Sequence, residues 1–488
     1  GVPRDVLQMV QLGEQELGRQ LISNPAVDRV ILTGGYETAE LFRSFRPDLP
    51  LLAETSGKNT VIVTPSADFD LAARDVAASA FGHAGQKCSA ASLVILVGSV
   101  AKSPRFRNQL VDAVQSLKVG YPEDPTTQMG PVIEPAAGKL LKGLTELGAG
   151  ETWLLQPEQL DDSGRLWSPG IRTGVRRGSE YHLTEYFGPI LGVMTAATLE
   201  EAIDMANDID YGLTAGLHSL DPAEMDVWLN RIQAGNLYVN RGITGAIVRR
   251  QPFGGWKKSA VGAGTKAGGP NYLIGLGNWE TAAGTGAPEL GTESTAARLV
   301  SAAESVGTVF DAADAAFLRR AAHSDAAAWA AEFGTAKDVS ALSAERNVFR
   351  YVPVPVTVRL SEGGSAAELV RVLAAGVTAG SAVTVSSALD LPAGVRAVLT
   401  ELGIGFTVEN DAAWLASAAA LTSGRVRLIG GSPLALAEAT GGTPDIAVYA
   451  QPVTEAGRVE LLPFLHEQAV SITAHRFGTP NHLSDALI

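Results

Sequence analysis

Cys88 is the single cysteine of the 488-residue sequence, and its neighbours suit a reactive thiol. Residues 85–90 read GQKCSA, so small residues surround the sulfur and Lys87 precedes it. A nearby positive charge favours the thiolate, which is the nucleophilic form of cysteine. The alternative is a small buried core residue without chemistry. His83 is close enough in sequence for a cysteine–histidine hydrolase, but the predicted helix-to-loop context suits that arrangement poorly.

Glu54 is the second candidate, because it directly follows the apolar stretch at residues 51–53. Ligands of open α/β sheets bind at the carboxyl ends of the strands, and a glutamate placed there can act as a general base. The alternative is a solvated loop acid that pairs with nearby Lys58. Together, Cys88 and Glu54 would supply a nucleophile and a base.

Two glycine-containing turns add possible ligand contacts. Thr33, Gly34 and Gly35 end a strand-like stretch and begin a helix-like one, where free backbone N–H groups can bind phosphate. This signal is weak by itself, because most such turns bind nothing and this one lacks a GxGxxG pattern. The second turn, EYFGP, brings Glu185 close to Phe187, and its ordinary role is structural.

Alternating strand and helix patterns surround these residues. The predicted strands are 6–10, 29–32, 51–53, 60–63, 93–97 and 237–240, and the predicted helices are 36–45, 68–81 and 105–119. Such alternation predicts an α/β fold of βαβ units with a mostly parallel sheet. An Ala-rich stretch predicts helices to about residue 349, and strands and helices then alternate again over 382–448. The sequence therefore predicts a second parallel α/β domain.

The composition excludes several classes of protein. A net charge of −14 gives no overall attraction to nucleic acid or anionic lipid, and no apolar run reaches the about 18 residues of a membrane span. One cysteine cannot form an internal disulfide or a multi-cysteine metal site, and it is typical of a reducing, cytoplasmic compartment. The sequence begins at Gly1 without a signal-peptide pattern and in a strand-like stretch, which favours a piece of a longer chain.

Five segments, in order and with matching spacing, resemble the aldehyde dehydrogenase superfamily over about residues 1–280. They are LTGG at 32–35, ETSGK at 54–58, GQKC at 85–88, EYFGP at 185–189 and PFGG at 252–255. GNLYVNR at 235–241 and KAGGP at 266–270 are similar, more narrowly, to L-glutamate γ-semialdehyde (pyrroline-5-carboxylate) dehydrogenases, including the dehydrogenase module of the bifunctional proline utilization A enzymes. The region after residue 300 resembles the extra C-terminal domain of longer members, with a tail motif at 464–480.

The resemblance implies an aldehyde dehydrogenase fold, with an incomplete Rossmann-like NAD domain and a catalytic α/β domain, followed by a second Rossmann-like α/β domain. Residues 1–85 would be the C-terminal part of the NAD-binding domain, and residues 86–280 the catalytic domain with the return to the NAD domain. Small polar residues at 281–300 predict a linker. Residues 301–488 would form the C-terminal domain, which has no cysteine nucleophile.

The resemblance also implies an activity, the NAD-dependent oxidation of L-glutamate γ-semialdehyde to L-glutamate in the second step of proline catabolism. Cys88 would attack the aldehyde, hydride would pass to NAD to leave a thioester, and Glu54 would activate the water that hydrolyses it. FAD would belong only to an N-terminal proline dehydrogenase domain of the longer enzymes. The alternatives are an enzyme for another carboxylated aldehyde, such as succinate semialdehyde, and a non-catalytic scaffold.

Binding roles follow from the same resemblance. The residues expected to contact the dinucleotide are Thr33, Gly34, Gly35, Thr55, Glu185 and Phe187. Those expected to contact the aldehyde substrate are Lys87, Ser89, Gly245, Ala246 and Phe253. The small residues Gly245 and Ala246 would let backbone N–H groups surround the substrate carboxylate. No metal, nucleic acid or membrane is expected as a partner, whereas a homo-oligomer, in its simplest form a dimer, is expected.

Several features of the family are absent or altered. The first βαβ portion is missing, and with it the oxyanion-hole asparagine, the adenosine-binding lysine and an aromatic wall of the substrate site. Loss of one oxyanion donor costs about 10²–10³ in rate, so this stretch alone is expected to be inactive or weakly active. Ser56 stands where the family has glycine, and Gly35 where it often has serine.

Overall fold

The computed structural model describes residues 2–12, 16–280 and 294–488. Up to residue 280, the strands are β1 (Val30–Thr33), β2 (Leu51–Glu54), β3 (Asn59–Val63), β4 (Ala91–Val97), β5 (Thr152–Leu155), β6 (Gly170–Thr173), β7 (Ile190–Ala196), β8 (Tyr211–Gly212), β9 (Thr214–His218), β10 (Asn236–Val239), β11 (Trp256–Lys257) and β12 (Ala260–Val261). The helices of this part are α1 (Glu16–Ser23), α2 (Tyr36–Phe45), α3 (Phe69–Phe81), α4 (Pro104–Gln115), α5 (Gly138–Thr145), α6 (Glu180–Leu183), α7 (Leu199–Asn207) and α8 (Pro222–Arg231).

Strands and helices continue after residue 294. The strands are β13 (Lys337–Asp338), β14 (Glu345–Pro353), β15 (Val356–Leu360), β16 (Val383–Ser387), β17 (Gly405–Val408), β18 (Gly424–Ile429), β19 (Ile446–Tyr449), β20 (Leu465–Thr473), β21 (His475–Arg476) and β22 (Thr479–Pro480). The helices are α9 (Thr295–Glu304), α10 (Ala312–Ala328), α11 (Ala366–Thr378), α12 (Ala393–Glu401), α13 (Asp411–Ala418), α14 (Pro433–Ala439) and α15 (Gly457–Glu460).

A small sheet, in the order β1-β2-β12, has Thr33 at the end of β1, and Gly34, Gly35 and Thr55 directly follow its strands β1 and β2. β1 and β2 are parallel, with Thr33 opposite Glu54, because α2 connects them as a crossover. α2 begins directly after Gly35. The helix and both parallel strands match the predicted elements to within one residue.

The large sheet is built by both halves of the sequence. Its order is β13-β14-β20-β10-β9-β3-β4-β7-β6-β5. β3, β4, β9 and β10 lie inside it, and their apolar side chains are buried, as expected for strands with covered faces. β20 adds in parallel to β10, and β14 pairs antiparallel with β20 along its full length. The C-terminal part of the chain therefore completes the sheet of the predicted catalytic domain.

The second large sheet, β17-β16-β15-β18-β19, is entirely parallel. Helix α11 is buried over most of its surface and packs against α9 and α10. Its side chains join those of β15 and β16 in a separate hydrophobic core. A parallel sheet that winds outwards in both directions from β15 is the arrangement of a Rossmann-like domain. The predicted α/β class with a second Rossmann-like part is confirmed.

Three predicted elements differ from the structure. Residues 6–10 form no strand, because their apolar side chains are exposed and they pair with no described strand. The helix predicted at 105–119 ends at Gln115. The helices predicted up to residue 349 give way to β13 and β14, since pairing with β20 overrides local propensity.

The segments on either side of the C-terminal Rossmann-like part are the predicted linker and the tail motif. Of the linker predicted at 281–300, residues 281–293 lie outside the described residues, and α9 begins at Thr295, within the predicted linker. The tail motif at 464–480 forms β20 and the short hairpin of β21 and β22. In the described part of the chain, no helix combines the length and apolarity that crossing a membrane requires.

Candidate active site

The turn after β1 and the end of β2 form one edge. Thr33 lies opposite Glu54, and the backbone N–H of Gly34 donates to the Glu54 carbonyl over 3.2 Å. Thr33 and Gly34 are exposed. Because α2 starts after Gly35, the free N–H groups of its first turn face the same edge. The turn therefore fits a phosphate group, which backbone without side chains can approach closely.

Cys88 lies in the loop between α3 and β4, where the backbone is closely held. Gly85 has a φ of +67°, and a Cβ there would lie 2.1 Å from the carbonyl oxygen of Gly188, so only glycine fits. The Asn59 side-chain amide donates to the Cys88 carbonyl over 2.7 Å and to the Ala90 carbonyl over 2.9 Å. These contacts fix the cysteine loop to the start of β3.

The surroundings of Cys88 differ from the expectation of an easily formed thiolate. Burial and the negative charge of Glu54 raise the pKa of the thiol, while the backbone N–H groups of Ser89 and of Cys88 itself lower it. The expectation that Lys87 favours the thiolate is wrong, because burial and the nearby carboxylate outweigh it. The two N–H groups can also stabilise negative charge that develops beside the sulfur.

Glu54 is placed as a base. Its Oε2 accepts the backbone N–H of Gly255 over 3.2 Å, and a Cβ at Gly254 would lie 2.7 Å from its Oε1. Burial raises the pKa of Glu54 to about 8, against the lowering effects of Lys266 and the Gly255 N–H. A pKa near neutral suits a general base, which must be ionised at the working pH and still take up a proton.

Glu185 and Phe187 come from the turn between α6 and β7. The Glu185 carboxylate accepts the backbone N–H of Gly57 over 3.0 Å, and burial raises its pKa. The Phe187 carbonyl accepts the Gln86 side-chain amide over 3.1 Å. This turn is therefore tied to the segment after Glu54 on one side and to the cysteine loop on the other.

Thr55, the remaining residue expected to contact the dinucleotide, is buried. Its hydroxyl donates to the Lys258 carbonyl, and its backbone N–H donates to the Ser259 carbonyl over 3.0 Å. The side chain thus holds the segment before β12 against the end of β2.

The residues expected to bind the substrate lie on separate loops. Lys87 and Ser89 flank Cys88, with Lys87 half-buried and Ser89 buried. Gly245 and Ala246 are exposed, and Gly245 has a φ of +86° with open space at its Cβ position. Left-handed glycine backbone of this kind can turn N–H groups towards an anion. A third segment contributes Phe253, which is half-buried and whose backbone pairs with Ala267.

Lys266 lies in the same region, although no sequence pattern marks it as a site residue. Its ammonium donates to Asn236 Oδ1 over 2.8 Å and to the Gly254 carbonyl, and its charge acts on Glu54. The lysine lies in the KAGGP segment, which contributes to the resemblance. The sequence signal that could have identified Lys266 is a charged residue inside a glycine-rich, otherwise apolar segment.

Lys58 is a second buried lysine that the sequence analysis considers only as a partner of Glu54. Its ammonium has no hydrogen-bond partner in the part of the chain that the structure describes, and it lies 3.9 Å from the centre of the Tyr181 ring. Burial lowers the pKa of Lys58 to about 7, against the raising effect of Glu185. Glu185, rather than Glu54, is therefore the carboxylate that acts most strongly on this lysine.

The structure brings the segments of Cys88, Glu54 and Glu185 together at Gly57, whose N–H donates to Glu185 over 3.0 Å and where a Cβ would lie 2.6 Å from the Cys88 carbonyl oxygen. Both carboxylates raise the pKa of the thiol. A nucleophile, a base and a carboxylate that can accept hydrogen bonds from hydroxyl groups therefore share one region. The arrangement can form an acyl thioester and hydrolyse it. The exposed turn after β1 and the Glu185 carboxylate also fit the phosphates and a ribose of a dinucleotide.

Comparisons with known proteins agree with this chemistry. The sequence model of the aldehyde dehydrogenase family matches residues 1–276. The 1-pyrroline-5-carboxylate dehydrogenase of Bacillus subtilis (strain 168) is 38% identical over 283 residues, which are 56% of this chain and 54% of that protein. Its counterpart from Geobacillus sp. (strain WCH70) is 37% identical with the same coverage. The chain spans about half the length of the curated relatives it matches.

Solved structures extend the likeness to the C-terminal part. Proline utilization A (PutA) from Corynebacterium freiburgense matches with a TM-score of 0.80 and 45% identity, covering 96% of this chain and 44% of that chain. PutA from Bdellovibrio bacteriovorus matches with a TM-score of 0.50 and 35% identity, covering 54% of this chain and 28% of that chain. The first match therefore includes both large sheets.

Proposed function

The chain belongs to the aldehyde dehydrogenase family, and we propose that it carries the chemistry of an NAD-dependent enzyme that oxidises L-glutamate γ-semialdehyde to L-glutamate, the second step of proline catabolism. The curated relatives named 1-pyrroline-5-carboxylate dehydrogenase support this proposal, as does the likeness to proline utilization A over 96% of the chain. The proposal concerns the whole protein, for which this chain supplies the nucleophile and the base.

In the first step, the Cys88 sulfur adds to the aldehyde carbon and forms a hemithioacetal. Because burial raises the pKa of the thiol, the proton must leave as substrate binds, and the N–H groups of Ser89 and Cys88 stabilise the charge that develops. Asn59 keeps the cysteine loop in place during this step by holding its carbonyl groups. Loss of hydride from the hemithioacetal carbon and of the proton from its hydroxyl group then leaves a thioester on Cys88.

Glu54 acts in the second step. Its carboxylate removes a proton from water as the water oxygen bonds to the acyl carbon, and the Cys88 thiolate departs, which releases the carboxylic acid. The pKa of about 8 allows Glu54 to take up this proton near neutral pH. The Gly255 N–H, 3.2 Å from Oε2, orients the carboxylate.

The dinucleotide, when bound, supplies the acceptor for the hydride. The backbone of Thr33, Gly34 and Gly35 would bind its pyrophosphate, and Glu185 would accept hydrogen bonds from ribose hydroxyl groups. Phe187 would pack beside the ring system. Thr55 supports this edge indirectly, through its hydrogen bonds to the segment before β12.

The substrate carries a carboxylate and an amino group beside a short aliphatic stem. The open backbone at Gly245 and Ala246 would bind the carboxylate, and Phe253 would pack against the stem. Ser89 and Lys87 flank the nucleophile and would contact the polar end of the substrate.

The proposal also covers the organisation of the chain. Residues 1–85 would belong to the dinucleotide-binding part, 86–280 to the catalytic part and 301–488 to the C-terminal part. Strands β14 and β20 of the C-terminal part belong to the large sheet of the catalytic part. A cytoplasmic enzyme with one reduced cysteine that works as a dimer is in keeping with these roles. No residue of this chain is assigned to FAD.

The single observation that carries the proposal is the meeting of three segments at Gly57, in the turn after Glu54: its N–H donates to the Glu185 carboxylate over 3.0 Å, and a Cβ there would lie 2.6 Å from the Cys88 carbonyl oxygen. Cys88→Ala in the full-length protein, as its host makes it, should lower NADH formation from L-glutamate γ-semialdehyde on the order of 10³-fold or more. Retained oxidation would overturn the assignment of the nucleophile. If the unmodified protein oxidised succinate semialdehyde as fast as L-glutamate γ-semialdehyde, or faster, the substrate assignment would be overturned.

A further inference from the structure

Lys266 and Glu54 contact the two ends of one peptide group. The N–H of Gly255 donates to Glu54 Oε2 over 3.2 Å, and the carbonyl oxygen of Gly254, in the same peptide group, accepts a hydrogen bond from the Lys266 ammonium. A cation at the oxygen of a peptide group polarises it and makes its N–H a stronger donor. The ammonium therefore stands one peptide group away from the proposed base.

Two glycines, Gly254 and Gly235, pack closely around the Lys266 side chain and restrict the position of its ammonium. A Cβ at Gly254 would lie 2.7 Å from Glu54 Oε1 and 3.1 Å from Lys266 Cγ. At Gly235, a Cβ would lie 2.7 Å from Lys266 Nζ. Asn236 Oδ1 accepts a second hydrogen bond from the ammonium over 2.8 Å. Larger residues at either glycine would displace the ammonium or the carboxylate.

Glu467, on β20, brings an opposite charge to Lys266. Its carboxylate accepts the Lys266 backbone N–H over 2.5 Å and the Asn271 side-chain amide over 2.7 Å, and it is buried. Glu54, Lys266 and Glu467 therefore form a row of negative, positive and negative groups. The row runs from the proposed base to β20, in the C-terminal part of the chain. Other ionisable groups interact with these three through their charges. Glu54 acts on Cys88, Glu467 on Tyr351 and Lys266 on His466, and Arg425 acts on Glu467.

We propose that Lys266 is a positioning residue for Glu54. Its ammonium holds the 254–255 peptide group against the carboxylate and stabilises the ionised form, and it thereby sets the lowest pH at which the thioester is hydrolysed. Glu467 in turn stabilises the charged ammonium in its buried place. The inference rests on the proposed function, because it concerns the hydrolysis of the Cys88 thioester.

The directions of the pKa shifts agree with this arrangement. Lys266 lowers the pKa of Glu54 more than the Gly255 N–H does, and Glu467 raises it. Burial lowers the pKa of Lys266 to about 8, against the raising effect of both carboxylates. Each charge thus favours the ionised form of its neighbour, as opposite charges at short range do.

The role assigned to Lys266 involves no proton transfer. Glu54 takes the proton of the attacking water, the water oxygen bonds to the acyl carbon, and the Cys88 thiolate leaves. Only ionised Glu54 can accept that proton, so on the acid side the hydrolysis rate follows the ionised fraction, about tenfold per pH unit. A change in the charge of Lys266 must therefore appear as a shift of this acid limb.

The test uses p-nitrophenyl acetate, an activated ester that acylates a thiolate without any dinucleotide. Nitrophenolate release from the full-length protein, as its host makes it, would show a burst of acylation and then a slower phase set by hydrolysis. Lys266→Met removes the charge and keeps a side chain of similar length. We expect its hydrolysis limb to move to higher pH by about one unit or more, with the burst amplitude unchanged.

Lys257→Met is the matched control. Lys257 is half-buried, and its ammonium, like that of Lys266, donates to backbone carbonyl groups, here those of Asn207 and Ile209 over 2.6 and 3.0 Å. The charges that act on it are those of Asp208 and Asp210, with no contribution from Glu54. The control should leave the acid limb of hydrolysis where it is.

Glu467→Gln is the second variant, and it answers the question even where Lys266→Met does not fold. It removes a negative charge from the same group of three and keeps an acceptor for the Lys266 N–H. On the acid limb, below its pKa of about 8, Lys266 keeps its charge, so the direct raising effect of Glu467 on the pKa of Glu54 is what the variant loses. The acid limb should therefore move to lower pH, opposite to that of Lys266→Met. A loss of packing alone cannot give shifts of opposite sign.

Unmoved limbs in both variants, or shifts in the same direction, would overturn the role of Lys266 while leaving the nucleophile in place. The absence of an acylation burst in the unmodified protein would overturn the proposed function itself. The two failures are therefore distinguishable within one experiment.

Discussion

Buried charges are arranged differently in the two α/β parts of the chain. In the C-terminal part, Arg371 pairs with Asp325 over 2.7 Å and Arg427 pairs with Glu460 over 2.8 Å, and all four side chains are fully buried. The first part also has such a pair, Arg172 with Glu151 over 2.8 Å, but there the buried ammonium of Lys58 has no hydrogen-bond partner among the described residues. A buried ammonium without a hydrogen-bond partner costs free energy, so its presence marks a region where charge serves chemistry rather than folding.

The carboxyl ends of parallel neighbouring strands, β1 and β2 in the first part and β15 and β18 in the second, differ in a related way. Between β15 and β18, the Ser361 N–H donates to the Ile429 carbonyl over 2.9 Å, and a Cβ at Gly430 would lie 2.2 Å from the Gly364 nitrogen. Backbone therefore fills the crevice in which sheets of this kind bind ligands. The turn at 33–35, in contrast, is largely exposed. One architecture thus occurs with an open edge in the first part and a closed edge in the second.

Glu54→Gln tests the functional side of this comparison and should have the largest effect. The amide can still accept the Gly255 N–H but cannot take a proton, so we expect thioester hydrolysis to slow by about 10²–10⁴-fold. The free energy of unfolding at neutral pH should rise or stay the same. Because burial raises the pKa of Glu54, folding at that pH disfavours its charged form, and the amide removes this cost.

Single-turnover kinetics and denaturant unfolding of the same preparation measure the two effects of Glu54→Gln. If the variant lost unfolding free energy as well as hydrolysis rate, Glu54 would be a structural charge like those of the C-terminal part. The difference between the two parts of the chain would then disappear.

Asp325→Ala tests the structural side. It leaves the Arg371 guanidinium buried without its partner, which costs about 3–5 kcal/mol in the free energy of unfolding. The matched control is Asp390→Ala, which removes the exposed partner of Arg396 and should cost less than about 1 kcal/mol. Urea denaturation followed by circular dichroism separates the two. Equal losses would show that burial of the first pair has no energetic consequence.

Lys58→Met sharpens the comparison with a smaller, pH-dependent effect. The folded-state pKa of about 7 lies below the value of 10.5 for an exposed lysine, so above pH 7 the unfolded chain binds a proton that the folded chain does not. Stability due to this group should therefore rise with pH above 7, by about 1.4 kcal/mol per unit. The difference in unfolding free energy between the two proteins, measured from pH 7 to 9, should change with that slope. Parallel curves would mean that Lys58 is ordinarily solvated.

Local patterns predicted much of the fold. The strand, turn and helix at residues 29–45 were identifiable because each element shows its own periodicity within a few residues. The order and spacing of five segments also pointed to Cys88 and Glu54. These features depend on residues that are close together in sequence or on a recognisable pattern of segments.

Contacts between distant segments could not be predicted in this way. The hydrogen bond from Lys266 to Glu467 joins residues 201 positions apart, and no local pattern shows that β20 lies beside β10. The prediction that Cys88 readily forms a thiolate was wrong for the same reason. Lys87 adjoins the cysteine in sequence, but burial and the carboxylate of distant Glu54 control the pKa of the thiol.

The most direct measurement is the intact mass of the Glu54→Gln variant after mixing with L-glutamate γ-semialdehyde and NAD, followed by peptide mapping. With hydrolysis slowed, the acyl group should remain on the enzyme, so we expect one glutamyl adduct, located on Cys88 and sensitive to hydroxylamine. An unmodified mass while NADH accumulates, or an adduct on any other residue, would contradict the role of the thiol.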